Sequence, residues 1–241
     1  MELMLLSSSR TAGTGFLEHA VDGLKTFLDA GPPGPVAFAP FAGLAIGYRA
    51  YTERLAEVLK PMGREVVSLD ESPEVLEEAG MIAVGGGNTF HLLREMRRRA
   101  LLERVAERAR EGTPYIGWSA GSNLACPGIH TTNDMPIVDP GGFEALGLVP
   151  FRINPHFYSG KPEGHQGESR EERLTEFLLA NPNEQILGLP EGTRLRVHGD
   201  QGRIEGTRPG MLFRQGADPA RIPEETDFPL NDPAIPAGSG A

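Results

Sequence analysis

The chain has 241 residues, of which 39% are apolar, and a formal net charge of −10 at neutral pH. This length allows one large domain or two small ones, and the negative charge argues against general affinity for nucleic acid or anionic membranes. No apolar run reaches the ~18 residues of a membrane-spanning helix, and the N-terminus lacks the basic region of a secretory signal. A single cysteine, Cys126, excludes an intramolecular disulfide and fits a reducing compartment. We therefore expect a cytoplasmic protein with no nucleic-acid or membrane partner.

Predicted strands and helices alternate through the first half of the chain. Short apolar runs predict strands at residues 2–7, 36–39, 65–69, 81–84 and 115–118. Apolar residues at helical spacing predict helices at residues 16–28, 48–59 and 73–79, and at 89–110 either one helix or two that break near Ala100. This alternation is typical of a doubly wound α/β domain, in which a mostly parallel sheet lies between two layers of helices.

The second half of the chain is less regular. Residues 127–150 are rich in Gly and Pro, and we expect them to form loops and short strands over the site. A helix is predicted at residues 169–180, with Ser169 as its N-cap and Glu172 three residues later. A strand at residues 185–189 and an antiparallel hairpin at residues 194–206 follow.

The residues after position 215 are rich in proline and acidic side chains, with little apolar surface to bury. We expect residues 1–215 to form a single domain. Residues 216–241 are expected to form a surface-bound or partly disordered tail.

The segment Gly117–Gly121 reads Gly-Trp-Ser-Ala-Gly and follows a predicted strand. It has the G-x-S-x-G form of a nucleophile elbow, in which a strained strand-to-helix turn exposes a serine hydroxyl at the edge of a sheet. In a chain with 31 glycines such a match also arises by chance. The motif therefore predicts Ser119 as a nucleophile only if a base, an orienting acid and an oxyanion hole accompany it.

The segment Gly85–Asn88 follows the strand predicted at residues 81–84 and precedes a helix. Three glycines there expose backbone N–H groups at a helix N-terminus, where an anion or a developing oxyanion can bind. A phosphate-binding loop is an alternative, but the Gly-Lys-Ser/Thr ending is absent. In a doubly wound sheet this loop and the elbow lie at the same edge, because both follow the carboxyl ends of strands.

Among six histidines, His156 is the favoured general base because it follows a short apolar strand and a proline that fixes the preceding turn. The other five lie in predicted helices, in loops or in the hairpin: His19, His91, His130, His165 and His198. Asp134 and Glu191 are both candidates for the orienting acid, and spacing does not choose between them. Cys126 is expected to be a packed, inert thiol, and no metal-binding motif occurs.

Six segments in order resemble the aspartyl dipeptidase (peptidase E) family of serine peptidases. They are residues 85–89, 117–123, 132–135, 154–156, 167–173 and 189–192, and the resemblance covers roughly residues 1–215. It implies a class I glutamine-amidotransferase-like (flavodoxin-like) α/β fold, with serine where those relatives carry cysteine. It also implies Ser119 as nucleophile and His156 as base, with the backbone N–H groups of Gly87 and Ala120 as the oxyanion hole.

The resemblance leaves the orienting acid open. Glu191 matches the family's third triad member, and Asp134 matches an acid that is also assigned to the charge relay; we favour Glu191 for contact with the base. Arg170 matches the arginine thought to read the substrate's aspartyl side chain, which a planar guanidinium can bind bidentately. One departure is Phe157, at a position where we expect tyrosine.

The resemblance therefore implies hydrolysis of dipeptides with an N-terminal aspartate, Asp-Xaa, through an acyl-enzyme on Ser119. It implies no metal and no organic cofactor, and we expect a monomer or homodimer. The alternatives are a related hydrolase of another amide, as in cyanophycin hydrolysis, a carboxylesterase of the α/β-hydrolase class, and a non-catalytic module that binds small molecules.

Overall fold

The computed structural model describes residues 1–161, 163–164 and 166–233. The strands in these residues are β1 (Glu2–Leu6), β2 (Val36–Ala39), β3 (Val66–Ser68), β4 (Met81–Val84), β5 (Tyr115–Trp118), β6 (Arg152–Phe157), β7 (Gln185–Pro190), β8 (Arg194–His198), β9 (Gln201–Glu205), β10 (Gly210–Arg214), β11 (Ala220–Ile222) and β12 (Asp227–Pro229). The α-helices are α1 (Val21–Ala30), α2 (Tyr48–Leu59), α3 (Thr89–Arg98), α4 (Leu102–Arg110), α5 (Ala120–Leu124) and α6 (Arg170–Ala180). None of these helices is both long and apolar enough to span a bilayer.

The larger sheet has eight strands in the order β12-β9-β8-β1-β5-β4-β2-β3. Strands β1, β5, β4, β2 and β3 are parallel, and β8, β9 and β12 extend the sheet antiparallel beyond β1. Successive residues of β1 belong to two different cores: Leu3 and Leu5 pack on one face, and Met4 and Leu6 on the other. Helices α1 and α2 cover one face and α3, α4 and α5 the other, which confirms the predicted doubly wound α/β fold.

A second sheet of four strands, in the order β11-β10-β7-β6, is absent from the sequence prediction. Strands β6 and β7 are parallel in it, and β10 and β11 continue it antiparallel. Its apolar side chains divide between two cores: Ile153 and Leu187 join the main core, whereas Phe157 and Ile186 pack against α6 through Leu174. The sheet matters for the site because β6 carries the predicted base and one of the two candidate acids directly follows β7.

Several local predictions agree with the structure. The region 89–110 is two helices, and Ala100 separates them with a φ of 53°. Ser169 and Glu172 form the predicted capping box at the start of α6. Two local predictions need adjustment. The helix predicted at residues 73–79 is a 3₁₀ helix over Pro73–Glu77. In residues 127–150 the expected short strands are replaced by an isolated bridge between Gly128 and Glu144.

The structure differs from the predicted tail at residues 220–230. Strand β11 pairs with β10, and β12 pairs with β9, so both sheets gain an edge strand from this segment. Phe228 and Leu230 are buried beside β9, which gives the segment an apolar anchor despite its acidic composition. Residues 234–241 lie outside the described residues.

Candidate active site

Ser119 lies in a strained turn between β5 and α5. Its φ and ψ are 52° and −109°, a conformation that is unfavourable for a residue with a side chain. A Cβ atom on Gly117 would lie 2.5 Å from the backbone of Gly121, and a Cβ on Gly121 would overlap the carbonyl oxygen of Val84. Both glycines of the motif are therefore required by close backbone contacts, as the elbow geometry predicts.

His156 lies at an irregularity in the pairing of β6 with β7. The register shifts between Pro155 and Phe157, and His156 has a φ of 54°. Such bulges turn a side chain away from its regular direction, and here the ring nitrogen Nε2 lies 2.9 Å from Ser119 Oγ. The two side chains are therefore within hydrogen-bond distance although they come from different sheets.

Glu191 follows directly after β7, and its Oε1 lies 2.7 Å from His156 Nδ1. An ionised carboxylate only accepts hydrogen bonds, so this contact favours the tautomer with a proton on Nδ1. Nε2 is then free to accept the proton of the Ser119 hydroxyl. The Glu191 side chain is 56% exposed and that of His156 is 37% exposed, so water reaches the outer end of this hydrogen-bonded chain.

Ser7, which the sequence analysis missed, connects the two sheets behind His156. Its hydroxyl accepts a hydrogen bond of 2.8 Å from the His156 backbone N–H and donates one of 2.7 Å to the carbonyl of Leu189. Its own N–H donates to the carbonyl of Thr193. A serine directly after the apolar run of β1 is the signal in the sequence, but it does not reveal the partners, which are 149 and 182 residues away.

The glycine loop Gly85–Asn88 lies directly beside Ser119. A Cβ atom on Gly86 would lie 3.1 Å from the Ser119 Cβ, and Gly87 has a φ of 138° with no room for a side chain beside Ala42. Ala120, the first residue of α5, has an N–H group without an acceptor inside its helix. The structure thus brings the loop that contains Gly87 and the N–H of Ala120 to the same edge as Ser119.

Tyr51 of α2 links the elbow strand to this loop. Its hydroxyl accepts a hydrogen bond of 2.7 Å from the indole Nε1 of Trp118 and donates one of 3.1 Å to the Gly86 carbonyl. Burial raises the pKa of Tyr51 to about 12, so the hydroxyl remains a donor at neutral pH. The C=O and N–H of a trans peptide point in opposite directions, so this contact turns the N–H of Gly87 away from Tyr51.

Among the described residues, the hydrogen bonds of Asp134 go to Thr89 and Thr132, whereas it is Glu191 that contacts His156. The Asp134 Oδ2 accepts hydrogen bonds from the backbone N–H of Thr89 at 2.7 Å and from the Thr89 hydroxyl at 2.6 Å. The hydroxyl of Thr132 adds a third at 3.1 Å. The carboxylate is therefore held at the start of α3, where it anchors the end of the glycine loop and interacts favourably with the helix dipole.

Arg170 is half-buried at a cavity of about 620 Å³, at the first position of α6. Its guanidinium carbon lies 4.8 Å from the ring centre of Tyr158, and its Nη1 is buried with no hydrogen-bond partner in the described part of the chain. A buried cationic nitrogen without a partner is costly, which makes it a candidate for binding a ligand carboxylate. Asp134 also lines this cavity, whereas Ser119, His156 and the glycine loop are not among its lining residues.

Of the other histidines in the described part of the chain, none is hydrogen-bonded to Ser119. His91 is buried against the carbonyl of Phe41, and His198 is exposed beside Glu2. His130 lines the Arg170 cavity, and burial together with the nearby Arg152 lowers the pKa of its ring. The pKa of His19 is also lowered, mainly by burial, and His165 lies outside the described residues.

Cys126, the alternative nucleophile, is fully buried and accepts a hydrogen bond from the N–H of Ile153. Burial raises the pKa of its thiol to about 12, so no thiolate is present at neutral pH. No group of three or more potential metal ligands occurs within the described ranges.

Comparison with known proteins assigns the chain to a family. The model of peptidase family S51 matches residues 3–205. Peptidase E of Salmonella arizonae is 48% identical over 221 residues, which cover 90% of this chain and 96% of that protein, and peptidase E of Salmonella newport matches equally well. The chain belongs to peptidase family S51. Membership confirms the resemblance seen in the sequence and the expected serine-type peptidase activity, and it does not favour the carboxylesterase or the binding module.

Two solved structures share the fold of this S51 peptidase. A putative peptidase E protein from Listeria monocytogenes has a TM-score of 0.63 at 24% identity, over 86% of this chain and 98% of that one. A peptidase from an acI-B1 actinobacterium has a TM-score of 0.66 at 17% identity, over 95% and 96%. At these identities the similarity supports the shared architecture alone. Because one fold can carry different chemistries, the chemistry of this site follows from its own residues and their geometry.

Proposed function

We propose that this S51 peptidase is a serine exopeptidase that hydrolyses dipeptides with an N-terminal aspartate. The observation that carries the proposal is the hydrogen-bonded chain from Ser119 Oγ through His156 to Glu191, with distances of 2.9 Å and 2.7 Å. The strained elbow presents the hydroxyl, and the glycine loop lies beside it. Such an arrangement of nucleophile, base and orienting acid performs acyl transfer on unrelated folds.

In the first half of the reaction, Ser119 Oγ attacks the carbonyl carbon of the aspartyl residue while its proton moves to His156 Nε2. The N–H groups of Gly87 and Ala120 stabilise the oxyanion of the tetrahedral intermediate. The carbon–nitrogen bond then breaks, and His156 gives its proton to the leaving amine. An aspartyl ester of Ser119 and a free amino acid result.

In the second half, a water molecule attacks the ester carbonyl and His156 accepts one of its protons. Collapse of the second tetrahedral intermediate releases aspartate and returns the proton to Ser119 Oγ. Glu191 holds the imidazole in the required tautomer and stabilises its protonated form in both halves. No metal or cofactor takes part in this sequence.

Arg170 is proposed to bind the side-chain carboxylate of the substrate's aspartate. The support is the buried Nη1, which has no partner among the described residues, at the wall of a cavity that Asp134 also lines. Asp134 in turn accepts a hydrogen bond from the N–H of Thr89, the residue that follows the glycine loop. A carboxylate there would pair with a guanidinium that forms no ion pair within the described ranges. Replacing Arg170 by alanine should lower kcat/KM for Asp-Leu, by a factor that corresponds to a loss of about 2–4 kcal/mol in transition-state stabilisation. The loss for Asn-Leu should be much smaller.

A panel of peptides tests the proposal: Asp-Leu, Glu-Leu, Asn-Leu, Leu-Leu and Asp-Leu-Gly. We expect efficient hydrolysis of Asp-Leu alone. Comparable rates on Leu-Leu would contradict the aspartate specificity, and comparable rates on Asp-Leu-Gly would contradict the restriction to dipeptides. Cleavage of cyanophycin in place of Asp-Leu would favour the related amide hydrolase.

We also propose that the protein acts in the cytoplasm, without nucleic acid, as a monomer or homodimer. The net charge of −10 supports the exclusion of polyanionic partners. Light scattering coupled to gel filtration tests the oligomeric state, and an assembly larger than a dimer would contradict it.

A further inference from the structure

A second cavity, of about 440 Å³, is lined in part by the glycine loop, which does not line the Arg170 cavity. Gly86 and Gly87 form part of its wall, and Gly86 is in direct contact with the Ser119 turn. The two cavities have no lining residue in common. Because the scissile carbonyl must lie between Ser119 and the glycine loop, a dipeptide that places one residue in the Arg170 cavity has this second cavity available for the other.

One part of the second cavity is made of apolar side chains that are unusually exposed. Leu44 is 49% exposed, Ile46 37% and Ile137 49%, and all three line the cavity. Leu44 and Ile46 come from the loop after β2, whereas Ile137 comes from the Gly/Pro-rich region 127–150. Apolar residues from separate segments that gather at a concave surface are typical of a ligand-binding site.

The same cavity is lined by two arginines that form no ion pair among the described residues, Arg10 and Arg54. The guanidinium carbon of Arg54 lies 4.7 Å from the ring centre of Phe16, so its plane is held against an aromatic face. By contrast, Arg49 on the same helix pairs with Glu53 at 3.1 Å. In a chain with 33 acidic and 23 basic residues, two unpaired guanidinium groups at one cavity indicate an anionic ligand.

We propose that this cavity binds the leaving residue of the dipeptide. Its side chain lies against Leu44, Ile46 and Ile137, and its free α-carboxylate pairs with Arg10 and Arg54. The inference rests on the proposed function and extends it in two respects. It predicts a preference for an apolar second residue, and it assigns the restriction to dipeptides to recognition of the terminal carboxylate, because a third residue would replace that charge by a neutral amide.

The carboxylate contact is tested with Asp-Leu and its C-terminal amide, Asp-Leu-NH₂. The wild-type protein should prefer the free acid by about 10- to 100-fold in kcat/KM, the range of a charge-assisted hydrogen bond. The double variant Arg10→Gln/Arg54→Gln should lose most of that preference, whereas the matched control Arg49→Gln should keep it. Equal rates on both substrates in the wild type, or an unchanged preference in the double variant, would overturn the assignment.

The apolar contact is tested with Asp-Leu and Asp-Gly. The wild type should prefer Asp-Leu by about 10-fold or more, in proportion to the apolar surface buried. The double variant Leu44→Ser/Ile137→Ser should narrow this ratio, and Leu179→Ser, at a 66% exposed position on α6, should leave it unchanged. An unchanged ratio in the double variant would show that the leucine side chain binds elsewhere.

These experiments separate failure of the subsite from failure of the proposed function. If the wild type cleaves neither Asp-Leu nor its amide, the aspartyl dipeptidase assignment fails. If it cleaves both at the same rate, that assignment holds and the carboxylate subsite is refuted.

Discussion

Replacing Tyr51 by phenylalanine tests how the glycine loop is held in place for catalysis. The substitution keeps the ring, which packs in a buried aromatic group with Phe38 and Trp118, and removes only the hydroxyl. Two hydrogen bonds are lost, one from the Trp118 indole and one to the Gly86 carbonyl. The peptide group between Gly86 and Gly87 then has no restraint from α2, so the N–H of Gly87 is no longer held in one direction.

The two lost hydrogen bonds have different consequences. The indole N–H of Trp118 is buried and would have no acceptor, which costs about 1–3 kcal/mol in the free energy of unfolding. Deleting an oxyanion-hole donor typically costs about 10²–10³ in kcat. Tyr51→Phe leaves the Gly87 donor present but less well oriented, so we expect a smaller loss of about 5- to 30-fold. The loss should appear in kcat, because the oxyanion exists only in the transition state and intermediates.

The assay is steady-state hydrolysis of Asp-Leu, together with thermal unfolding. Tyr48→Phe is the matched control, since Tyr48 lies one turn earlier on α2 and its hydroxyl forms no hydrogen bond among the described residues. A lowered Tm with unchanged kcat would refute the reasoning and make Tyr51 purely structural. A rise in KM with unchanged kcat would show that it acts through substrate binding.

Three further predictions concern Ser7, Asp134 and Cys126. Ser7→Ala leaves the His156 N–H and the Leu189 carbonyl without their hydrogen-bond partner. We expect kcat to fall about 10-fold and the free energy of unfolding to fall by about 1–3 kcal/mol. An unchanged kcat would contradict a role of Ser7 in positioning the base. Asp134→Asn weakens the anchor at Thr89 and should lower kcat less than Glu191→Gln does, because Glu191 contacts the base; a larger loss for Asp134→Asn would contradict this assignment. Cys126 should resist iodoacetamide in the native protein and react after unfolding, because burial raises the pKa of its thiol to about 12; rapid native alkylation with loss of activity would contradict its inert role.

The elbow could be recognised from the sequence because its requirements are local. Gly117 and Gly121 are needed where backbones pass within contact distance, and this fixes their spacing from Ser119. Asn88 likewise caps α3 through its side chain, so the end of the glycine loop has a local signature. These short-range constraints point to Ser119 and to the loop beside it, although the choice of Ser119 as nucleophile also needed the predicted base and acid.

Residue spacing could not choose between Glu191 and Asp134, although the family resemblance favoured Glu191, since the choice depends on contacts between distant segments. The bulge at His156 and the pairing of β6 with β7 bring Glu191 to the base. Neither feature has a sequence signal of its own. For the same reason Ser7, whose partners lie 149 and 182 residues away, could not be assigned a function before its position between the two sheets was known.

The edge strands β11 and β12 illustrate a different limit of sequence reasoning. Their segment is acidic and Pro-rich, which is typical of an unstructured tail. Each strand has only three residues. The backbone hydrogen-bonding partners of β11 lie on β10, and those of β12 lie on β9. Two buried side chains, Phe228 and Leu230, help to hold the segment against the larger sheet, together with the pairing of β12 with β9.

The most direct test of the proposed mechanism is the rate of Asp-Leu hydrolysis by Ser119→Ala. Because Ser119 is the proposed covalent nucleophile, kcat should fall by about 10⁴-fold or more, while circular dichroism and Tm show an intact fold. A variant that retains hydrolysis within about 10-fold of the wild type would contradict the acyl-enzyme mechanism, since that mechanism has no other nucleophile to replace the serine hydroxyl.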